Sequence, residues 1–182
     1  LWFDESRYEE LGTRIKCNPA IKKATDREAL IRALNEGRID VIATDHAPHT
    51  AAEKQGTYFS TPAGLPLVQH ALQTLFDLVA AGQLSLELVV DRACHASADL
   101  FGVTDRGYVR EGWFADLVLV DTSRPYRVSA DNVLYKCGWS PFEGHEFSAT
   151  IDTTIVNGQV VWGDGRLTGA IPGDRLEFTR AR

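Results

Sequence analysis

The sequence predicts an α/β segment of barrel type followed by an all-β segment. Three observations predict this. Up to about residue 102, apolar runs of strand length alternate with stretches of helical periodicity. Beyond residue 102, β-branched runs and a two-residue hairpin turn take over. Within the first regime an Asp stands directly after an apolar run, where barrel enzymes place their catalytic groups.

The elements follow in order. Residues 3–11 are acidic and polar around Tyr8 and Leu11, and predict a short helix stopped by Gly12. Arg14-Ile15-Lys16-Cys17 predicts a short strand, ended by Asn18-Pro19. Thr25 or Asp26 caps a helix reaching about Asn35, with Leu30, Ile31 and Leu34 facing inward and Gly37 past its end. Asp40 to Thr44 has the length of a buried strand. A loop rich in Thr, Gly and Pro then runs from Asp45 to about Pro62. Its Thr50–Thr61 stretch has the composition of a mobile edge over a site.

Gly64 to Ala81 is the longest stretch of helical periodicity, ended by Gly82. Ser85 caps another helix, and Ser97 to Phe101 reads as a short last turn before Gly102. Tyr108-Val109, residues 115–120 and residues 150–156 predict strands. Asn157-Gly158 predicts a tight hairpin into Gln159–Trp162. The predicted domains are therefore residues 1–102 and 103–182.

Composition narrows the function classes. With 44% hydrophobic and 24% charged residues, the chain has the makeup of a folded domain. A net charge of −6 argues against a nucleic-acid partner, which needs clustered Lys and Arg. No apolar run approaches the ~18 residues of a membrane span, and the N-terminus lacks the basic and apolar regions of a secretory leader. Cys17, Cys94 and Cys137 are odd in number and far apart, which favours free thiols in a reducing compartment, hence the cytoplasm. The chain contains no methionine, so the expectation is a processed chain or a piece of a longer one.

The chemistry concentrates on Val41-Ile42-Ala43-Thr44-Asp45-His46-Ala47-Pro48-His49. A carboxylate and two imidazoles within five positions offer a metal ligand, a proton carrier and an anion-binding group. Pro48 restricts the backbone between the two histidines. His46 is expected to brace the loop, and His70 and His95 are expected to be structural.

Thr44-Asp45-His46-Ala47-Pro48-His49 resembles the Ser/Thr-Asp-His-Ala-Pro-His motif of class I dihydroorotases, in the amidohydrolase superfamily. Lys16-Cys17-Asn18-Pro19-Ala20-Ile21-Lys22 is similar to their Lys-x-Asn-Pro-Pro-Leu-Arg motif. Lys136 to Gly144 contains Ser140-Pro141-Phe142-Glu143-Gly144, which resembles their Ser-Pro-Phe-x-Gly segment. Gly112 to Asp121 looks like the superfamily's passage into a small β domain. Two departures stand out: Ala63 where the family usually has Pro, and His95-Ala96-Ser97 where it commonly has Asn-Pro.

The resemblance implies the C-terminal part of a metal-dependent (β/α)8 TIM barrel with part of a β-sandwich. It implies reversible cyclisation of N-carbamoyl-L-aspartate to L-dihydroorotate, with one or two zinc ions. Asp45 would be metal ligand and proton carrier. Asn18, His49, Ala63 and Gly64 would face the substrate. For partners it implies a small-molecule substrate, a homo-oligomer and association with aspartate transcarbamoylase. The rival readings are a hydantoinase or allantoinase, and a non-catalytic dihydroorotase-like scaffold of aspartate transcarbamoylase. The family's His-x-His motif is absent from this sequence, and an eight-stranded barrel takes ~250 residues. The expectation is therefore a C-terminal fragment that by itself neither holds catalytic zinc nor turns over substrate, since one carboxylate is not a metal site.

Overall fold

A computed structural model describes residues 1–179 of the chain. The last three residues of the predicted β segment lie outside the described residues. The chain opens with a 3-10 turn and a one-turn helix α1 (Tyr8–Leu11), which Gly12 ends at φ +53. The predicted strand at Arg14–Cys17 does not form. Gly12–Ile15 is a 3-10 turn, and only from Lys16 is the backbone extended. Helix α2 (Ala24–Asn35) starts where Asp26 accepts the Lys23 N–H at 3.1 Å, so Asp26 acts three residues inside the helix and not as its cap. Its inward face is Ile31, Ala33 and Leu34, whereas Leu30 is exposed. Gly37, at φ +71, closes the helix end as predicted.

The apolar run Asp40–Thr44 lies in no ladder among the described residues. Its recorded backbone bond is from Ile42 N–H to the Arg92 carbonyl, 3.1 Å. A parallel strand is defined by long-range partners on its flanks, so an apolar run alone does not make one. The helix predicted from Gly64 begins later. His46 pairs with Leu65 in a parallel bridge, Val68–His70 is a 3-10 turn, and α3 spans Ala71–Ala80. Ser85 caps α4 (Leu86–Val90) by accepting the Leu88 N–H, as predicted. A π-helical turn at Asp91–His95 then runs on into α5 (Ala96–Phe101), so the predicted short turn is the end of a longer helical stretch. The Arg92 carbonyl, within the π turn, receives both the Ile42 N–H and the Ser97 hydroxyl.

The second segment is antiparallel. Strands β1 (Leu117–Asp121), β4 (Thr150–Val156), β5 (Gln159–Gly163) and β6 (Arg166–Leu167) form one sheet in that order. Strands β2 (Tyr126–Arg127) and β3 (Glu146–Phe147) form a separate pair. Asn157-Gly158 makes the predicted hairpin, with φ of +47 and +78. Tyr108-Val109, predicted as a strand, is irregular, and Val109 is 85% exposed and in no ladder among the described residues.

Two apolar clusters hold the segments. One joins α2, α3 and α4 through Ile31, Leu34, Leu75, Leu78 and Val89. The other packs Val128, Phe142 and Phe147 against Trp2, Phe3 and Leu67. His70 sits fully buried at the second cluster, stacked on Phe147 with ring centroids 5.7 Å apart. Ser140 Oγ accepts the Phe142 N–H and lies 3.2 Å from His70 Nδ1, so its proton is free to go to the imidazole. Burial pushes the His70 pKa down to about 4 from its ordinary 6.5.

Above pH 6.5 His70 is neutral folded or unfolded; below it the unfolded chain takes up a proton that the folded chain refuses until about pH 4. Stability is therefore lost as pH falls through that window, by about 3 kcal/mol in all. Urea unfolding at pH 7 and pH 4 is expected to show this loss in the native chain beyond that in His70→Phe. Parallel losses in the two chains would refute the assignment.

Candidate active site

Asp45 ends the extended segment that leaves the first apolar cluster, and turns the chain with φ +49. A non-glycine residue there costs on the order of 1 kcal/mol and persists only where the surroundings enforce it. The surroundings are visible. Ala47 N–H donates to the Leu65 carbonyl at 3.1 Å, beside the His46–Leu65 bridge. His46 Nδ1 accepts the N–H groups of Leu67 (3.0 Å) and Val68 (3.3 Å). That ring therefore braces the turn against the start of the 3-10 turn before α3, with its Nδ1 lone pair already used. The Asp45 side chain is left exposed beside it.

His49 lies on the far side of the turn. Its Nε2 is 3.1 Å from the Ala63 carbonyl, and its own carbonyl receives the Trp139 indole N–H at 2.8 Å. A carbonyl can only accept, so Nε2 carries a proton and Nδ1 is left for another partner. Gly64 makes this approach possible. A Cβ there would lie 2.4 Å from the Ala47 carbonyl oxygen and 3.2 Å from His49 Cδ2, on a backbone with φ +138. Asn18 is exposed at a bend two residues after Lys16, whose carbonyl accepts the Gly64 N–H at 2.8 Å. Burial raises the pKa of the neighbouring Cys17 thiol, and the Asp45 carboxylate nearby adds to that rise. The structure thus brings His49, Ala63 and Gly64 into direct contact, puts Asp45 on the same turn, and ties Asn18 to them through the backbone of Lys16.

Sequence reasoning missed the parts that hold the arrangement. The Thr50–Thr61 loop is tethered. Thr50 and Glu53 cap each other reciprocally, with the Thr50 N–H and hydroxyl both on the Glu53 carboxylate (2.7 and 2.8 Å). That turn directs Lys54 inward, where it is only 2% exposed. Lys16 reaches the loop from outside, donating to the carbonyls of Tyr58 (2.6 Å) and Thr61 (2.5 Å). The Thr50-x-x-Glu53 pattern could have been read as a capping box; nothing local marks Lys54 as buried. A hollow of about 890 Å³, lined among others by Trp2, Arg27, Asp77 and His145, contains none of the five predicted site residues. Among the described residues no group of three or more His, Cys, Asp or Glu is placed to hold a metal ion.

The fold and this turn define a class. Residues 5–161 match the amidohydrolase family, and the chain belongs to that family. Within it, the chain is 41% identical over 175 residues to a dihydroorotase of Halobacterium salinarum, covering 95% of this chain and 40% of the relative. It is 37% identical over 154 residues to a dihydroorotase of Clostridium acetobutylicum, covering 84% and 36%. Among solved structures it resembles the L-hydantoinase (dihydropyrimidinase) of Arthrobacter aurescens, with TM-score 0.84 and 28% identity over 91% of this chain and 38% of that one. The chain spans about two fifths of the length of the curated relatives it matches.

The Gly64 contact is testable by comparison with Gly112, which has φ +83 but nothing within 4 Å of its would-be Cβ. Gly112→Ala is expected to cost only the backbone strain. Gly64→Ala is expected to cost about 1–3 kcal/mol more, because the Ala47 carbonyl must move. Equal unfolding midpoints for the two variants would contradict the close approach.

Proposed function

We propose that this chain forms part of a dihydroorotase, which interconverts N-carbamoyl-L-aspartate and L-dihydroorotate in pyrimidine synthesis, with residues 1–102 as its barrel portion and residues 103–182 as its β portion. The observation that carries the reading is the Asp45–His49 turn, with His49 held on the Ala63 carbonyl, in a chain 41% identical to a dihydroorotase. Zinc, a cytoplasmic setting, a homo-oligomer and association with aspartate transcarbamoylase rest on that kinship.

The residues fit the chemistry as one wall of a metal site. Asp45 offers an exposed carboxylate oxygen at a strained turn, a hard ligand suited to zinc. Zinc, when bound, supplies an activated water near neutral pH and polarises the amide carbonyl. Asp45 takes the proton of the attacking water and delivers it to the leaving ring nitrogen. His49, with Nε2–H on Ala63, presents Nδ1 to the substrate carboxylate and donates to it where that nitrogen also carries a proton. Asn18 hydrogen-bonds the ring or its carboxylate. Gly64 lets the backbone approach the substrate closely.

A hydantoinase is the second reading, favoured by the structural resemblance to the Arthrobacter aurescens enzyme. The higher identity to dihydroorotases and the presence of His49 after Pro48 support the first. The whole protein should hydrolyse dihydroorotate in preference to hydantoin and allantoin, and Asp45→Asn should lower kcat about a thousand-fold. Preference for hydantoin or allantoin would replace the first reading with the second. An inactive whole protein would favour the scaffold.

A further inference from the structure

Lys54 is unusual in its position. It is 2% exposed, and its ammonium rests on three backbone carbonyls: Lys16 at 3.1 Å, Pro62 at 2.9 Å and Gly64 at 3.0 Å. Its own carbonyl accepts the Thr13 hydroxyl, and its N–H donates to Thr50. All three protons of the ammonium are used, and every partner is a carbonyl rather than a carboxylate. Burying such a charge is costly even when it is well hydrogen-bonded, so stability alone is a poor reason for a lysine here. An apolar side chain of similar length would fill the same space.

The carbonyls it collects indicate its role. Pro62 and Gly64 turn their oxygens to the ammonium, and the carbonyl between them, that of Ala63, points to His49 Nε2. The three successive carbonyls thus face alternate sides, the outer two the ammonium and the middle one the imidazole. Fixing the outer two on one side therefore fixes the middle one on the other. The third carbonyl, of Lys16, belongs to the stretch that carries Asn18. The geometry points to Lys54 as a positioning residue for substrate binding: its ammonium aims the Ala63 carbonyl so that His49 is held with Nε2 protonated and Nδ1 turned to the substrate carboxylate. This rests on the dihydroorotase reading for the identity of the substrate, but not for the state of His49.

Two measurements on the whole protein test it. Lys54→Met is expected to raise KM for dihydroorotate about tenfold or more while kcat changes less than about threefold, because the turn at Asp45 is held by the His46 and Ala47 contacts with Leu65 and Leu67 and not by Lys54. Nitrogen-15 NMR of the imidazoles should show neutral His49 as a single tautomer protonated at Nε2 in the native protein, and as a mixture in Lys54→Met. If Lys54→Met does not fold, Lys54→Gln, which keeps part of the donor set, should show smaller changes in the same directions. Unchanged KM and an unchanged His49 tautomer in a destabilised variant would overturn the proposal and leave Lys54 a purely structural residue. If the native protein does not turn over dihydroorotate, the functional reading fails, and the tautomer measurement still decides the role of Lys54.

Discussion

The candidate site depends on one seam, where the Asp45–His49 turn meets the Pro62–Leu67 segment. On one side of the seam lie the His46–Leu65 bridge, the Ala47 N–H on Leu65 and the His46 ring on Leu67 and Val68. On the other lie the Lys54 ammonium and the Lys16 backbone. Gly64 sits in the middle because a side chain would occupy space already taken by Ala47. The His46 and Ala47 contacts enforce the left-handed conformation of Asp45, which the residue would not choose locally.

The seam also explains how two distant parts of the chain serve one site. Trp139 reaches across to the His49 carbonyl, and Ser140, next to it, meets His70. The aromatic cluster around Phe142 and Phe147 thus joins the segment bearing Ser140-Pro141-Phe142 to the residues just before α3. Packing far from the carboxylate is thereby linked through hydrogen bonds to the imidazole proposed to bind substrate.

What the sequence made legible was local chemistry. Asn157-Gly158 had to turn, Ser85 had to cap, and Gly37 and Gly82 had to stop helices, because each effect acts within a few residues. The Asp45 turn was legible because its residue types crowd into a short, distinctive run. The failures share a physical cause. Arg14–Cys17 and Asp40–Thr44 have the composition of strands, but a ladder depends on partners far away in sequence. Leu30 fits the helical period yet faces outward, since the neighbouring elements decide which face is covered. Lys54 lies in a polar loop, and only the tertiary convergence of Lys16, Pro62 and Gly64 makes it a buried residue.

The most direct test of the account is a crystal structure of the whole protein with its metal and dihydroorotate bound. The account predicts an Asp45 carboxylate oxygen about 2.0–2.2 Å from the metal, with His49 Nδ1 and Asn18 on the substrate. A substrate bound elsewhere, with Asp45 turned away from the metal and His49 free of the carboxylate, would contradict it.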